Sequence, residues 1–208
     1  MPAKDSPDYY RFVACPKVGC GLRFPGVVGV ACPLCKTPTE FVSERCAPPG
    51  PESLESPELP PLELFLDNVR SVFNVGSIFR TAEGCGVQQI YLSGISPTPS
   101  HAAMKKTALG AEQEVPWSQH NNGVLLAQEL VAAGRRLWAL ELTEGSVDLF
   151  AHGAQRPADL VLVLGNEVTG VDPGILQLCE QTLHIPMRGC KASLNVATAV
   201  GIAAYALR

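Results

Sequence analysis

No apolar run in these 208 residues approaches the roughly 20 needed to cross a bilayer as a helix. The opening Met1-Pro-Ala-Lys-Asp-Ser-Pro-Asp8 has no apolar core of the kind a secretory signal carries. A cytoplasmic protein with no membrane partner is therefore expected. No G-x-G-x-x-G or G-x-x-x-x-G-K-[ST] follows an apolar run, which argues against a Rossmann cofactor site and against a P-loop. The Gly84-Cys85-Gly86 sequence reads instead as a helix stop. An excess of positive charge is missing too, since 16 Lys and Arg stand against 20 Asp and Glu for a net -4. A nucleic-acid partner would have to be held by local patches rather than by overall charge. The candidates are Lys105-Lys106, Arg135-Arg136, Arg188 with Lys191, and the N-terminal Arg11, Lys17, Arg23 and Lys36. An ordinary solvated face is the alternative for each.

What is present is uneven along the chain. Hydrophobic content of 46% suffices for a packed core, and the length suits one large domain with a small appendage. Five of the eight cysteines fall in the first 46 residues. Cys15-x4-Cys20 and Cys32-x2-Cys35 form two close pairs separated by 11 residues, the layout of a zinc ribbon in which four thiolates close a tetrahedron. Pro16, Gly19, Gly21 and Pro33 supply tight turns for such knuckles. A segment with so few large apolar side chains would need the metal to fold. Disulfides and unliganded thiols are the rival readings, and Cys46 is a possible substitute ligand. Residues 47–61 hold six prolines and three glutamates and read as a stiff acidic linker. The expected division is a ribbon over 1–46, the linker over 47–61 and a main domain over 62–208.

From Leu62 onward strand and helix signals alternate. Strands are expected at 62–66, 89–92, 136–142, 160–164 and 182–185, and helices at 74–85, 124–133, 174–179 and 193–207, the last with Ser193 as its N-cap. This alternation predicts an α/β domain with a parallel sheet whose ligands bind at the carboxyl ends of the strands.

Three loops that follow strands hold residues beyond what a connection needs. Asn74, Gly76 and Arg80 lie along a forming helix, with Gly76 open to close backbone approach. Gly165-Asn166-Glu167-Val-Thr-Gly170 follows the strand expected at 160–164, and Ile185 to Asn195 opens the closing helix. Structural readings stand beside these: Ser193 as a cap with Asn195 as a satisfied core amide, and Arg80 in an ion pair with Glu83 or Glu167.

Together the three loops resemble the motifs of the SpoU/TrmH family of RNA ribose 2′-O-methyltransferases, in the SPOUT superfamily. The match lies in N-x-G-x-x-x-R at 74–80, G-N-E-x-x-G at 165–170 and I-P-M-x(6)-S-L-N-V at 185–196. The resemblance implies a SPOUT-type α/β fold, a parallel sheet with a C-terminal trefoil knot. It implies S-adenosylmethionine bound by Leu140, Gly165, Asn166, Glu167, Ile185, Met187, Ser193 and Leu194. It implies catalysis by Arg80, Asn74, Glu167, Ser193 and Asn195, a homodimer with the last helix in its interface, and an RNA partner, tRNA slightly before rRNA. Two features depart from the family: Ala197 stands where a serine is frequent, and a metal ribbon is not its usual extension. A non-catalytic RNA-binding or ribosome-assembly protein of the same fold, and a base-nitrogen methyltransferase, are the other readings.

Overall fold

A computed structural model describes residues 9–46, 60–151 and 156–207. The chain divides into two compact units between Pro57 and Glu58. Residues 47–59, most of the expected linker, lie outside the described residues.

The first unit is a three-stranded antiparallel sheet of order β2-β1-β3, made of β1 (Tyr9–Ala14), β2 (Arg23–Pro25) and β3 (Glu40–Cys46). Its buried residues are few: Val13, Cys15, Cys32 and Thr39. A core of this size falls well short of what holds a domain of some 40 residues together, so the cysteine turns must contribute.

The second unit runs β4 (Leu62–Asp67), α1 (Val72–Cys85), β5 (Gln89–Ser93), α2 (Lys105–Ala108), α3 (Ala111–Glu114), β6 (Trp117–His120) and α4 (Gly123–Ala132). It continues with β7 (Arg136–Leu140), β8 (Val147–Asp148), β9 (Leu160–Leu164), α5 (Pro173–Leu176), β10 (Gln181–His184) and α6 (Val196–Ala206). Seven strands pair in parallel in the order β6-β5-β4-β9-β7-β10-β8. The expected α/β class with a parallel sheet is what the chain forms. Every residue of β4 and β9 is buried, because helices cover both sheet faces. Leu62, Leu64 and Leu66 face α1 and α6, meeting Ile78, Phe79, Val200 and Ala203. Phe65, Val161 and Val163 face α4, meeting Leu126, Ala127 and Leu130.

Three local outcomes differ from expectation. The closing helix starts at Val196, not Ser193, and its cap is Asn195, whose Oδ1 accepts from the amides of Ala197 (2.9 Å) and Thr198 (3.4 Å). Serine and asparagine cap about equally well, so local preference could not rank them. The stretch 104–120, with α2, α3 and the edge strand β6, was not anticipated; nor was the two-residue β8. Trp117-Ser-Gln-His120 is mostly polar because an edge strand keeps one side exposed. Gly76 does sit at a close approach, but to α2: a Cβ there would overlap Thr107 Oγ1 and lie 3.0 Å from the Met104 carbonyl.

Candidate active site and candidate metal centre

A cavity of about 480 Å³ opens beyond the carboxyl ends of β7, β9 and β10, the place where parallel sheets bind ligands. Leu140, Gly165, Asn166, Glu167, Ile185, Met187, Ser193 and Leu194 all line it, together with Asn195, His184 and Glu141. Its wall mixes apolar side chains with loop backbone, which suits a ligand that is part aromatic ring and part polar.

At its rim a directed chain of hydrogen bonds joins the three loops. Asn195 Oδ1 is committed to the first turn of α6, which leaves Nδ2 to donate to Asn74 Oδ1 (3.0 Å). The orientation of Asn74 is thereby fixed, and its Nδ2 donates to Glu167 Oε1 (2.8 Å). Glu167 also accepts from the backbone amides of Arg70 (2.9 Å) and Ser71 (3.2 Å). Partial burial works against its ionisation, but these amides and the Asn74 side chain outweigh it and hold the carboxyl below its ordinary value. Residues 93 and 121 positions from Asn74 are thus fastened to it by polar contacts alone.

The 165–170 loop is closed by reciprocal backbone bonds, Asn166 N–H to Gly170 O and Gly170 N–H to Asn166 O, both 3.0 Å. Asn166 Oδ1 accepts from the amides of Val168 (2.8 Å) and Thr169 (3.2 Å), while its Nδ2 donates to the Asn68 carbonyl (2.7 Å). Glu141, not singled out from the sequence, organises the neighbouring turn by accepting from Leu142 N (3.0 Å) and Val171 N (3.2 Å). Asp67 was missed as well. It is 2% exposed and accepts from Ser93 Oγ (2.9 Å), Asn68 Nδ2 (2.8 Å) and Asp172 N (3.1 Å). Both are acids at the carboxyl end of a parallel strand, and that position was the available signal.

Of the five residues expected to be catalytic, Asn74, Glu167 and Asn195 are brought together, and Ser193 lines the same cavity. Arg80 is not among the lining residues. It is exposed on α1, six residues beyond Asn74, with no hydrogen-bond or ion-pair partner among the described residues. The ion pair with Glu83 or Glu167 is therefore not formed. Arg135 and Arg136, a candidate phosphate patch or an ordinary solvated face, carry acidic partners. Arg135 pairs with Glu63 (2.8 Å) and Arg136 with Glu180 (2.7 Å), at the end of β7 opposite the cavity.

In the first unit the Sγ atoms of Cys15, Cys20, Cys32 and Cys35 all lie within 4.8 Å of one another. Two spacings are 3.3 Å (Cys15–Cys35) and 3.7 Å (Cys20–Cys32), close to the ~3.8 Å edge of a tetrahedron with ~2.3 Å metal–sulfur bonds. All are free thiols, and Cys46 ends β3 outside the cluster. Burial pushes Cys15 up to about 12, whereas hydrogen bonds with Thr37 pull Cys35 down to about 6. Such a set can exchange its protons for a cation.

Comparison with known proteins agrees with this geometry. The SpoU rRNA Methylase family matches residues 61–205. The 23S rRNA (guanosine-2'-O-)-methyltransferase RlmB of Pectobacterium atrosepticum is 31% identical over 156 residues, 74% of this chain and 62% of that protein. The tRNA (guanosine(18)-2'-O)-methyltransferase of Aquifex aeolicus is 33% identical over 150 residues, 69% of this chain and 67% of that protein. The AdoMet-bound rRNA methyltransferase of Sinorhizobium meliloti superposes with a TM-score of 0.66 at 30% identity, covering 73% of this chain and 57% of the other. The chain thus spans under two thirds of the RlmB relative it matches.

Proposed function

Because the chain belongs to the SpoU rRNA methylase family, we propose that it transfers a methyl group from S-adenosylmethionine to a ribose 2′-hydroxyl of RNA. The observation that supports this reading most is the Glu167–Asn74–Asn195 chain at the rim of the 480 Å³ cavity. It ties a substrate-facing helix to both loops that would hold the cofactor. Backbone of Gly165 to Glu167 and of Ile185 to Leu194 offers polar partners to the cofactor, and Leu140, Ile185 and Met187 offer apolar wall to its base. Bound there, S-adenosylmethionine supplies a methyl group already activated by its sulfonium.

The protein's part is to set the hydroxyl in line and to ease loss of its proton as the new oxygen–carbon bond forms. The planar guanidinium of Arg80 grips the adjacent phosphate and positions the hydroxyl. Asn74, oriented by Glu167, and Ser193 and Asn195 at the cavity rim direct the ribose. Arg80 stands off the cavity wall, so the working unit is read as a homodimer built around α6. The exposed Phe73 on α1 and Tyr205 on α6 suit an apolar contact. The trefoil knot belongs to the same reading. The RNA is tRNA or rRNA, with tRNA slightly preferred, and relatives acting on each are matched. The four N-terminal cysteines hold one structural zinc.

Nucleoside mass spectrometry tests this on unmodified tRNA and rRNA incubated with protein and S-adenosylmethionine. A new 2′-O-methylnucleoside that disappears with Arg80→Ala is expected. No product and no cofactor binding would favour the non-catalytic RNA-binding or ribosome-assembly reading.

A further inference from the structure

The first unit carries surface that a metal centre does not explain. Register in its sheet assigns side chains to faces, since residues paired across antiparallel strands share one. Tyr10 pairs with Arg45, Phe12 with Ser43 and Pro25, and Ala14 with Arg23 and Glu40. These residues therefore share a face. Arg23 confirms the assignment, because its Nη2 reaches across to Ser43 Oγ at 2.9 Å. Val13, on the other face, is fully buried and leads into the buried ligand Cys15. The ribbon's small core and cysteine cluster thus lie behind Val13, and the Tyr10 face is turned away from them.

That face has an unusual makeup for so small a sheet. Tyr10 is 56% exposed and Phe12 half-buried, so a ring stands open beside a second ring. The exposed guanidiniums of Arg23 and Arg45 flank them. Glu40 is the one acid whose pairing puts it on this face, and it lies at the far end from Tyr10. Arg45 has no ion-pair partner among the described residues. Residues 1–46 carry six Lys and Arg against four acids, whereas the whole chain is at -4. Of these bases, Arg23 and Arg45 are the two whose pairing puts them on the face that carries the rings.

We propose that this face is a stacking platform for single-stranded RNA, with a base on Tyr10 and neighbouring phosphates on Arg45 and Arg23. Rings on an open antiparallel sheet receive unpaired bases, and flanking arginines follow the backbone. Rigid duplex RNA cannot offer a base face to such a surface. The platform would present a single-stranded stretch of the substrate, so it rests on the RNA reading above while adding a site that the family's matching region, 61–205, does not contain.

The test uses the full chain and fluorescence anisotropy with a short unstructured oligouridylate, with zinc content and Tm recorded for each variant. Tyr10→Ala should weaken binding about tenfold, while Tyr10→Phe keeps it, since stacking needs the ring and not the hydroxyl. Arg45→Ala should weaken binding and lower the salt slope by about one phosphate contact. Duplex RNA should bind all variants alike. Absence of oligouridylate binding by the natural protein, or equal affinity for Tyr10→Ala, overturns the platform. A fall in Tm for Tyr10→Ala with unchanged RNA affinity overturns it as well and assigns the face to packing against protein. Methyl transfer measured alongside separates the two proposals. Product without a Tyr10 effect refutes only the platform, and a Tyr10 effect without product refutes only the methyltransferase reading.

Discussion

Replacing Gly165 with alanine should abolish cofactor binding with little other chemical change. The added Cβ would overlap the Gly170 carbonyl carbon and oxygen and the Val171 amide nitrogen. These are backbone atoms, so no side chain can swing aside, and the loop itself must open. Opening strains the reciprocal pair between Asn166 and Gly170, two bonds of 3.0 Å, each worth about 1 kcal/mol net. Overpacking adds roughly 1–3 kcal/mol where nothing yields. Together these make about 3–5 kcal/mol, or roughly 100- to 4,000-fold in affinity if the loop must close on the ligand. The assay is titration calorimetry with S-adenosylmethionine, paired with thermal denaturation. Gly189→Ala is the control, since it lies in the facing loop and a Cβ there meets nothing within 4 Å. If Gly165→Ala bound the cofactor within about threefold of the natural protein and melted within about 1 °C of it, the reasoning from close approach would be refuted.

Asn195→Asp keeps the α6 cap acceptor and removes the donor to Asn74. Tm should stay nearly constant while methyl transfer falls about tenfold or more, whereas Asn195→Ala should also lose about 1 kcal/mol of stability in chemical denaturation. Glu167 has its carboxyl lowered in the folded protein, so the clasp it makes is fully present above the ordinary value of 4.5 and is lost as pH falls through the lower folded value. The acid limb of cofactor binding should therefore extend below pH 4.5 and be altered in Glu167→Gln, as calorimetry across pH 3 to 6 would show. Inductively coupled plasma mass spectrometry should find about one zinc per chain. Stripping it with a chelator should melt the first unit, seen as loss of dispersion in the NMR signals of residues 9–46, with the second unit intact.

Much of this protein was legible in its sequence because the signals were local. Runs such as Leu62-Glu-Leu-Phe-Leu66 and Leu160-Val-Leu-Val-Leu164 read as strands, and each is a strand buried on both faces. The cysteine spacing marked the four thiols that gather, two loop motifs marked residues that line one cavity, and the third marked Asn74, which bonds Glu167 and Asn195. Edge strand β6 stayed hidden because a half-exposed polar tetrapeptide carries no periodic signal.

The remaining outcomes depend on partners far along the chain. Ser193 and Asn195 are comparable caps in isolation, and Asn195 holds the position while also bonding Asn74, 121 residues away. Arg135 and Arg136 read as a phosphate patch or a solvated face, and their partners Glu63 and Glu180 lie far away in the chain. Asn74 and Arg80 belong to one motif, yet α1 turns Arg80 to solvent while Asn74 bonds Glu167 and Asn195, because Val75, Ile78 and Phe79 must face the core. Local motifs were enough to mark which residue types the chemistry would draw on. Which of them meet was set by a hydrophobic core that orients each helix first and leaves polar groups to pair with whatever that orientation brings near.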